Sequence, residues 1–551
     1  MLGLCATIVK LSAPAMPTNA NAEAAWNYHE VTKHSYTSVR TNPHFLDFDN
    51  QPLPFKIYPS LEPSRMPTEV RQTGVAALSA IAGSVSAQAL VQTNTAPGLK
   101  AVAQLLYLSA GITRQRKYAG GEIYFRAAAC TGALYEVELY LVCGDLGGLP
   151  AGVYHFAPAG FGLRKLRAGN YRSVLVEATG GEPAIAHAPL TIVCTCTYWR
   201  NAWKYQARTY RHFGWDNGTL LANLLAVATA LGLPAKVVCG FVDATVNRLL
   251  DVDSEREVAF SLVALGHDSG LSAQTAPPAQ TAPRVLADIS PLGLETVPLS
   301  RDEIDYPLMR EMHAASSLHS TEEVAAWRGG TPLGRTEMTD SPPPTGPVVR
   351  LQPLSDAEMP RDPIEQVILR RGSSRQFART PISLPQLSTM LDQATRGVPA
   401  DFTGPSFRDT SGSQLNHFYL IVHAVEGLEP GAYVFHRDRE VLECLKQGNF
   451  RDQAGYLGLE QQLPADAAVD IFVLADLRPI FDRFGNRGYR AVQLEAGILG
   501  GRLYLGAYAQ RLGATGLTFY DDDVTRFFSP HAEGKSAIFL VAVGNSVKRL
   551  A

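Results

Sequence analysis

The sequence predicts an α+β protein that carries one domain twice and folds the two copies together as a pseudo-symmetric dimer within a single chain. Three observations predict this. A constant offset of 279 residues lays the C-terminal half on the N-terminal half without gaps, so that Gly152, Tyr154 and Phe156 fall on Gly431, Tyr433 and Phe435. The register continues through Gly169, Asn170 and Arg172 onto Gly448, Asn449 and Arg451, then through Arg208, Tyr210, Arg211 and Gly218 onto Arg487, Tyr489, Arg490 and Gly497, and sets Asp243 over Asp522. Within each copy, short apolar strands alternate with longer segments of helical period. A proline-rich stretch separates the copies.

The first copy spans 25–266. Residues 138–142 and 190–195 read as apolar strands. Residues 217–231 are the clearest helix, with Leu220, Leu221, Leu224, Val227, Ala228 and Leu231 spaced for one apolar face. Residues 267–357 form the linker, where QTAPPAQTAPR and SPPPTGP remove backbone donors and fix φ. A short helix is expected over 320–327, because Ser320 or Thr321 precedes Glu322 and Glu323. The second copy spans 358–551. In it Leu384, Leu387 and Leu391 have helical spacing, and the helix over 496–512 carries small glycines that let another helix approach closely. Asp521, Asp522 and Asp523 read as a helix N-terminus rather than a metal site, since no His or Glu completes a ligand set; no metal is expected.

Composition narrows the function. With 49 basic and 52 acidic side chains the net charge is −3, which gives no footing for nucleic-acid binding. Forty-six per cent hydrophobic and 18% charged residues exclude a disordered chain, and Gly and Pro have no collagen-like period. Seven cysteines without a CxxC pair fit a reduced cytoplasmic compartment. Lys10 follows the first apolar run instead of preceding it, which argues against a signal peptide, and no apolar run reaches the roughly 20 residues of a membrane span.

The most informative short segment is RRGSSRQF, which sets Arg371, Ser373 and Arg375 at alternate positions. Two guanidiniums and a hydroxyl on one face suit a phosphate, because Arg offers paired donors and stays charged; taken alone, the same run also reads as a solvated basic turn. RRGSSRQF, the strands opened by Gly152 and Gly431, TYRHFGWDNG, GYRAVQLEAG and LGATGLTFYDDD together resemble SagB-type dehydrogenases, the McbC-like branch of the nitroreductase superfamily, over nearly all of 25–266 and 358–545.

The resemblance implies tandem nitroreductase-like domains that bind FMN at the interface of an intramolecular pseudo-dimer. By resemblance Arg371, Ser373 and Arg375 hold the ribityl phosphate, with Lys548 and Arg549 as further candidates. Gly513, Ala514, Thr515 and Gly516 would bring backbone amides to the flavin ring, and Thr131 and Gly132 would approach from the other copy. Cys130 reads as a buried structural thiol and His212 as a structural imidazole. The resemblance also implies a catalytic pair, Lys204 and Tyr205, for which the plain alternative is a surface lysine beside a packed tyrosine.

The two copies are unequal. The first has Gln92, Asn94 and Ala96 opposite the clamp and Pro234, Ala235, Lys236 and Val237 opposite Gly513–Gly516, whereas the second has Arg483 and Phe484 opposite Lys204 and Tyr205. One flavin per chain is therefore expected, held by the second copy and covered by the first. Asp216 and Glu495 occupy equivalent positions, which suggests Arg211 and Arg490 as their partners. The implied function is an FMN-dependent oxidoreductase that oxidises thiazoline or oxazoline rings in a modified peptide, within a peptide-modification complex. The alternatives are a nicotinamide-driven reductase of nitro compounds or quinones and a non-catalytic peptide-binding scaffold.

Overall fold

The computed structural model describes residues 19–83, 95–118, 121–268, 289–329, 343–403 and 414–547. Each copy is built on one seven-stranded antiparallel sheet. In the first the spatial order is Ser64–Arg65, Gly162–Ala168, Gly152–Ala157, Val137–Cys143, Leu190–Thr197, Glu257–Leu265 and Ala235–Val238. In the second it is Val348–Arg350, Val441–Gln447, Gly431–His436, His417–Val422, Val469–Ala475, Ser536–Gly544 and Gly513–Gly516. The strands Leu190–Thr197 and Val469–Ala475 are buried at every residue, Thr191, Thr195 and Asp470 included. The α+β expectation and the duplication both hold.

The offset of 279 is not constant. The turn after the long helix is one residue longer in the first copy, so Gly513–Gly516 correspond to Ala235–Val238, not to residues 234–237. For the same reason Asp243 corresponds to Asp521, not to Asp522. An ungapped comparison cannot register a slip that the next loop reverses.

Two 22-residue helices, Thr209–Ala230 and Gly488–Ala509, pack against each other at the centre. Glycine makes this approach possible. A Cβ on Gly218 would lie 2.5 Å from the Gly497 backbone, and one on Gly501 would lie 2.5 Å from Ala222 Cβ. Gly218 corresponds to Gly497 and Ala222 to Gly501, so these residues touch their own counterparts, as residues on a two-fold axis must. Gly218→Leu should therefore force the helices apart and cost about 3 kcal/mol or more, read from denaturant unfolding; a variant as stable as the parent would contradict this packing.

Two buried ion clusters cross the same interface. Asp243 accepts from Arg487 and Arg490, both at 2.7 Å, while Asp521 accepts from Arg208 at 3.1 Å and Arg211 at 2.7 Å. Each aspartate opens a short helix of one copy and binds arginines at the start of the long helix of the other. Asp216 and Glu495 are therefore not the partners of Arg211 and Arg490. Asp521 begins the Asp521–Phe528 helix without a side-chain cap, and its buried carboxylate serves the ion cluster instead.

The start of the first copy and the linker also bridge the two copies. The Glu23–Val31 helix belongs in sequence to the first copy but packs on the second, where Ala25 N donates to Asn486 Oδ1 and Trp26 meets Phe481 edge to face. The linker holds the expected helix, as Thr321–Gly329, and a further one, Pro307–Ala315, whose Met309 and Met312 are buried. No helix among the described residues is long and apolar enough to cross a membrane.

A candidate active-site cleft shared by the two repeats

A cleft of about 880 Å³ opens where the copies meet. That is ample for a cofactor-sized ligand. The second copy contributes Arg371, Gly372, Ser373 and Arg375 from the loop after the Ile364–Arg370 helix, Tyr504 from its long helix, and Thr515, Gly516, Leu517 and Thr518 from its edge strand and the turn beyond. The first copy contributes Thr131 and Gly132, Lys204 and Tyr205 from the end of the Tyr198–Tyr205 helix, and Trp215, Asp216 and Thr219 from its long helix. Gly513 and Ala514 are buried in the strand and do not line the cleft. Gln92, Asn94, Lys548 and Arg549 lie outside the described residues.

Arg371, Ser373 and Arg375 are differently engaged. Arg371 donates from Nε and Nη2 to Ala127 O, at 3.1 and 2.9 Å, so most of its guanidinium ties the second copy to the first. Ser373 Oγ lies 3.4 Å from Tyr504 Oη, and Arg375 is exposed on the cleft wall. Arg114 and Arg116, on a hairpin formed by Ile112–Tyr118 and Gly121–Arg126, add two more cationic side chains to the same wall. A basic, hydroxyl-bearing wall beside Tyr504, Trp215 and Tyr205 suits a planar ligand that carries a phosphate, and so the residues fit FMN.

Lys204 has no carboxylate partner among the described residues. Its ammonium lies 5.4 Å from the centre of the Tyr205 ring. Partial burial, with Arg375 opposite, lowers its pKa from the ordinary lysine value. Tyr205 moves the other way: burial and the neighbouring Asp216, Cys130 and Glu136 raise its phenol, which keeps the proton. Gly132 has φ +63°, and a Cβ there would lie 2.9 Å from Tyr205 Oη, so glycine both permits the turn and admits the phenol.

Behind this pair is a buried acidic pocket that the sequence reading did not assign to the site. Asp216 accepts from Thr131 N at 2.8 Å and Thr131 Oγ1 at 2.9 Å, and Cys130 Sγ lies 3.3 Å away. Burial and the nearby Asp216 push the Glu136 carboxyl well above its ordinary pKa, and burial raises Asp216 as well. The same surroundings hold Cys130, which is half-buried on the cleft wall, as a neutral thiol. His212 is buried and neutral, with Nδ1 2.8 Å from Asn201 Oδ1 and its ring against Trp215 and Tyr205.

At the pseudo-symmetric position, among the described residues, chain packs over the place that corresponds to Thr515. Val237, the counterpart of Thr515, pairs through its backbone with Pro399 and Asp401, and Asp401 accepts from Cys239 N and Gly240 N. Trp327 from the linker helix packs on Gly240 and Phe484, while Arg483 donates to Trp327 O. Arg483 and Phe484, the counterparts of Lys204 and Tyr205, thus hold a plug where the other pair faces an open cleft. Nothing in the sequence of the linker helix marks it as that plug, because the contact joins residues 157 apart.

Comparison with known proteins agrees with this architecture. The nitroreductase family model matches twice, over 101–267 and 368–545. The trifolitoxin-processing protein TfxB of Rhizobium leguminosarum bv. trifolii is 30% identical over 162 residues, 28% of this chain and 43% of TfxB. The microcin B17-processing protein McbC of Escherichia coli is 29% identical over 133 residues, 23% of this chain and 48% of McbC. The chain thus spans under half the length of either relative. A crystal structure of a protein assigned as a nitroreductase from Anabaena variabilis superposes with a TM-score of 0.72 at 25% identity, covering 95% of this chain and 99% of that one. The chain belongs to the nitroreductase family and carries the family domain twice.

Proposed function

We propose that the protein is an FMN-dependent dehydrogenase of the SagB type with one composite active site per chain. The observation that carries this reading is the convergence of Ser373 and Arg375 from one copy with Lys204 and Tyr205 from the other on a single cleft. Ser373, Arg375 and the hairpin arginines would hold the cofactor phosphate, and Thr515 and Gly516 would border the ring. FMN supplies the two-electron chemistry. Lys204 Nζ, with its lowered pKa, takes a proton from the substrate, and Tyr205 Oη donates a hydrogen bond that orients it. The first copy closes over the cleft and excludes water.

Two relatives named as processing proteins of trifolitoxin and microcin B17 favour a peptide substrate. On that basis the substrate is a thiazoline or oxazoline within a modified peptide, presented in a peptide-modification complex. Arg375→Ala should weaken FMN binding at least about tenfold, since it removes a charge-assisted contact to phosphate. Flavin fluorescence during titration reads this, and unchanged affinity in Ser373→Ala/Arg375→Ala would overturn the placement of the phosphate.

A further inference from the structure

The second copy carries a cluster of imidazoles and one carboxylate that the proposed reaction does not use. His417, Tyr419 and His436 share one face of the sheet with Glu443, as fixed by the pairings Tyr419 with Val434 and Val434 with Glu443. His531 reaches the same face from the turn after the Asp521–Phe528 helix, with its ring 5.6 Å from Tyr419 and 6.0 Å from His436. His436, Glu443 and His531 each place one donor atom within 4.8 Å of the other two.

From this geometry we infer a binding site for one divalent transition-metal ion, with His436, Glu443 and His531 as its protein ligands. Two imidazoles and one carboxylate suit Zn²⁺ and its neighbours and are a poor set for Mg²⁺ or Ca²⁺, which prefer oxygen. A solvent molecule completes a tetrahedral shell. Two of the three ligands are oriented from behind, the arrangement expected around a metal, and His436 Nδ1 is buried with no hydrogen-bond partner among the described residues. Glu443 Oε1 accepts from Thr345 N and Gly346 N, both at 2.7 Å, which turns Oε2 toward His436 at 2.7 Å. Tyr419 Oη lies 2.9 Å from His531 Nδ1 and fixes that ring. His531 Nε2 is buried with no hydrogen-bond partner among the described residues.

The fold itself does not require the cluster. In the first copy the positions of His436 and Glu443 hold Ala157 and Arg164, on a sheet of the same topology. A bound ion would tie the end of the linker, through Thr345 and Gly346, to the turn that carries His531.

The test uses full-length untagged protein stripped with a chelator and titrated with Zn²⁺, and with Co²⁺ as a spectroscopic probe. One equivalent of Zn²⁺ per chain and a tetrahedral Co²⁺ absorption band are expected. His531→Ala and Glu443→Gln should each weaken binding at least about a hundredfold, and Tyr419→Phe about tenfold. His531 sits in a surface turn, and unchanged circular dichroism would certify that variant as folded. Absence of Zn²⁺ and Co²⁺ binding by the parent, or the same affinity in a folded His531→Ala variant, would overturn the inference.

Discussion

Asp243→Ala should destabilise the protein by about 3–5 kcal/mol, because it strands two buried guanidiniums without their shared carboxylate. Arg487 and Arg490 are both fully buried, and each donates to Asp243 at 2.7 Å. The effect should appear as a lower denaturant midpoint and as looser association of the two copies. The same clusters set an acid limb. Burial raises the Asp243 carboxyl, but Arg487 and Arg490 outweigh it and hold the pKa at about 2; Arg208 and Arg211 do the same for Asp521, also at about 2. A carboxyl depressed in the folded state contributes stability above its unfolded pKa of about 4, and that stability is lost as pH falls through the folded value. Unfolding free energy should therefore drop between about pH 4 and pH 2, and this part of the drop should be smaller in Asp243→Asn. An identical acid profile in that variant would contradict the assignment.

The second large effect concerns turnover. Lys204→Ala should lower kcat by about 10²–10⁴, the usual contribution of a positioned acid or base. Tyr205→Phe should have a smaller effect, since it removes a hydrogen bond but leaves the ring in place. Both variants should keep FMN, because neither residue is among those proposed to hold the phosphate. Oxidation of an azoline-containing peptide, followed by mass spectrometry as a loss of two hydrogens, provides the assay. Lys204 acts unprotonated and its pKa is lowered by burial and Arg375, so the rise of activity with pH should occur below ordinary lysine titration and should shift upward in Arg375→Ala measured at saturating FMN. Full activity in Lys204→Ala would remove the proton-transfer role.

Much of this was legible in the sequence because it is local. The duplication appears in strand and helix-start residues such as Tyr154 with Tyr433 and Arg211 with Arg490, whose spacing the fold preserves. The close helix crossing was legible in the small residues of the second long helix, and the cleft in Lys204-Tyr205 and the Arg371–Arg375 run. The remainder depends on contacts between distant segments. Arg211 meets Asp521 and not Asp216, because a helix start can reach across the interface more easily than along its own helix. Arg371 resembles a phosphate ligand by composition, yet most of its donors meet carbonyls of the other copy. The hairpin that brings Arg114 and Arg116 to the cleft, and the plug formed by Trp327 and Pro399 to Asp401, have no sequence signal beyond ordinary polarity and burial.

On the proposed function, duplication has left one cleft that holds FMN and a counterpart, packed by Val237, Asp401 and Trp327, that does not. Flavin stoichiometry tests it most directly: full-length protein, saturated with FMN and freed of excess, is quantified by absorbance against protein concentration. One FMN per chain is the expected result. Two per chain would mean that the space between Val237 and Trp327 opens to admit a second flavin, and the asymmetry argued from that plug would be wrong.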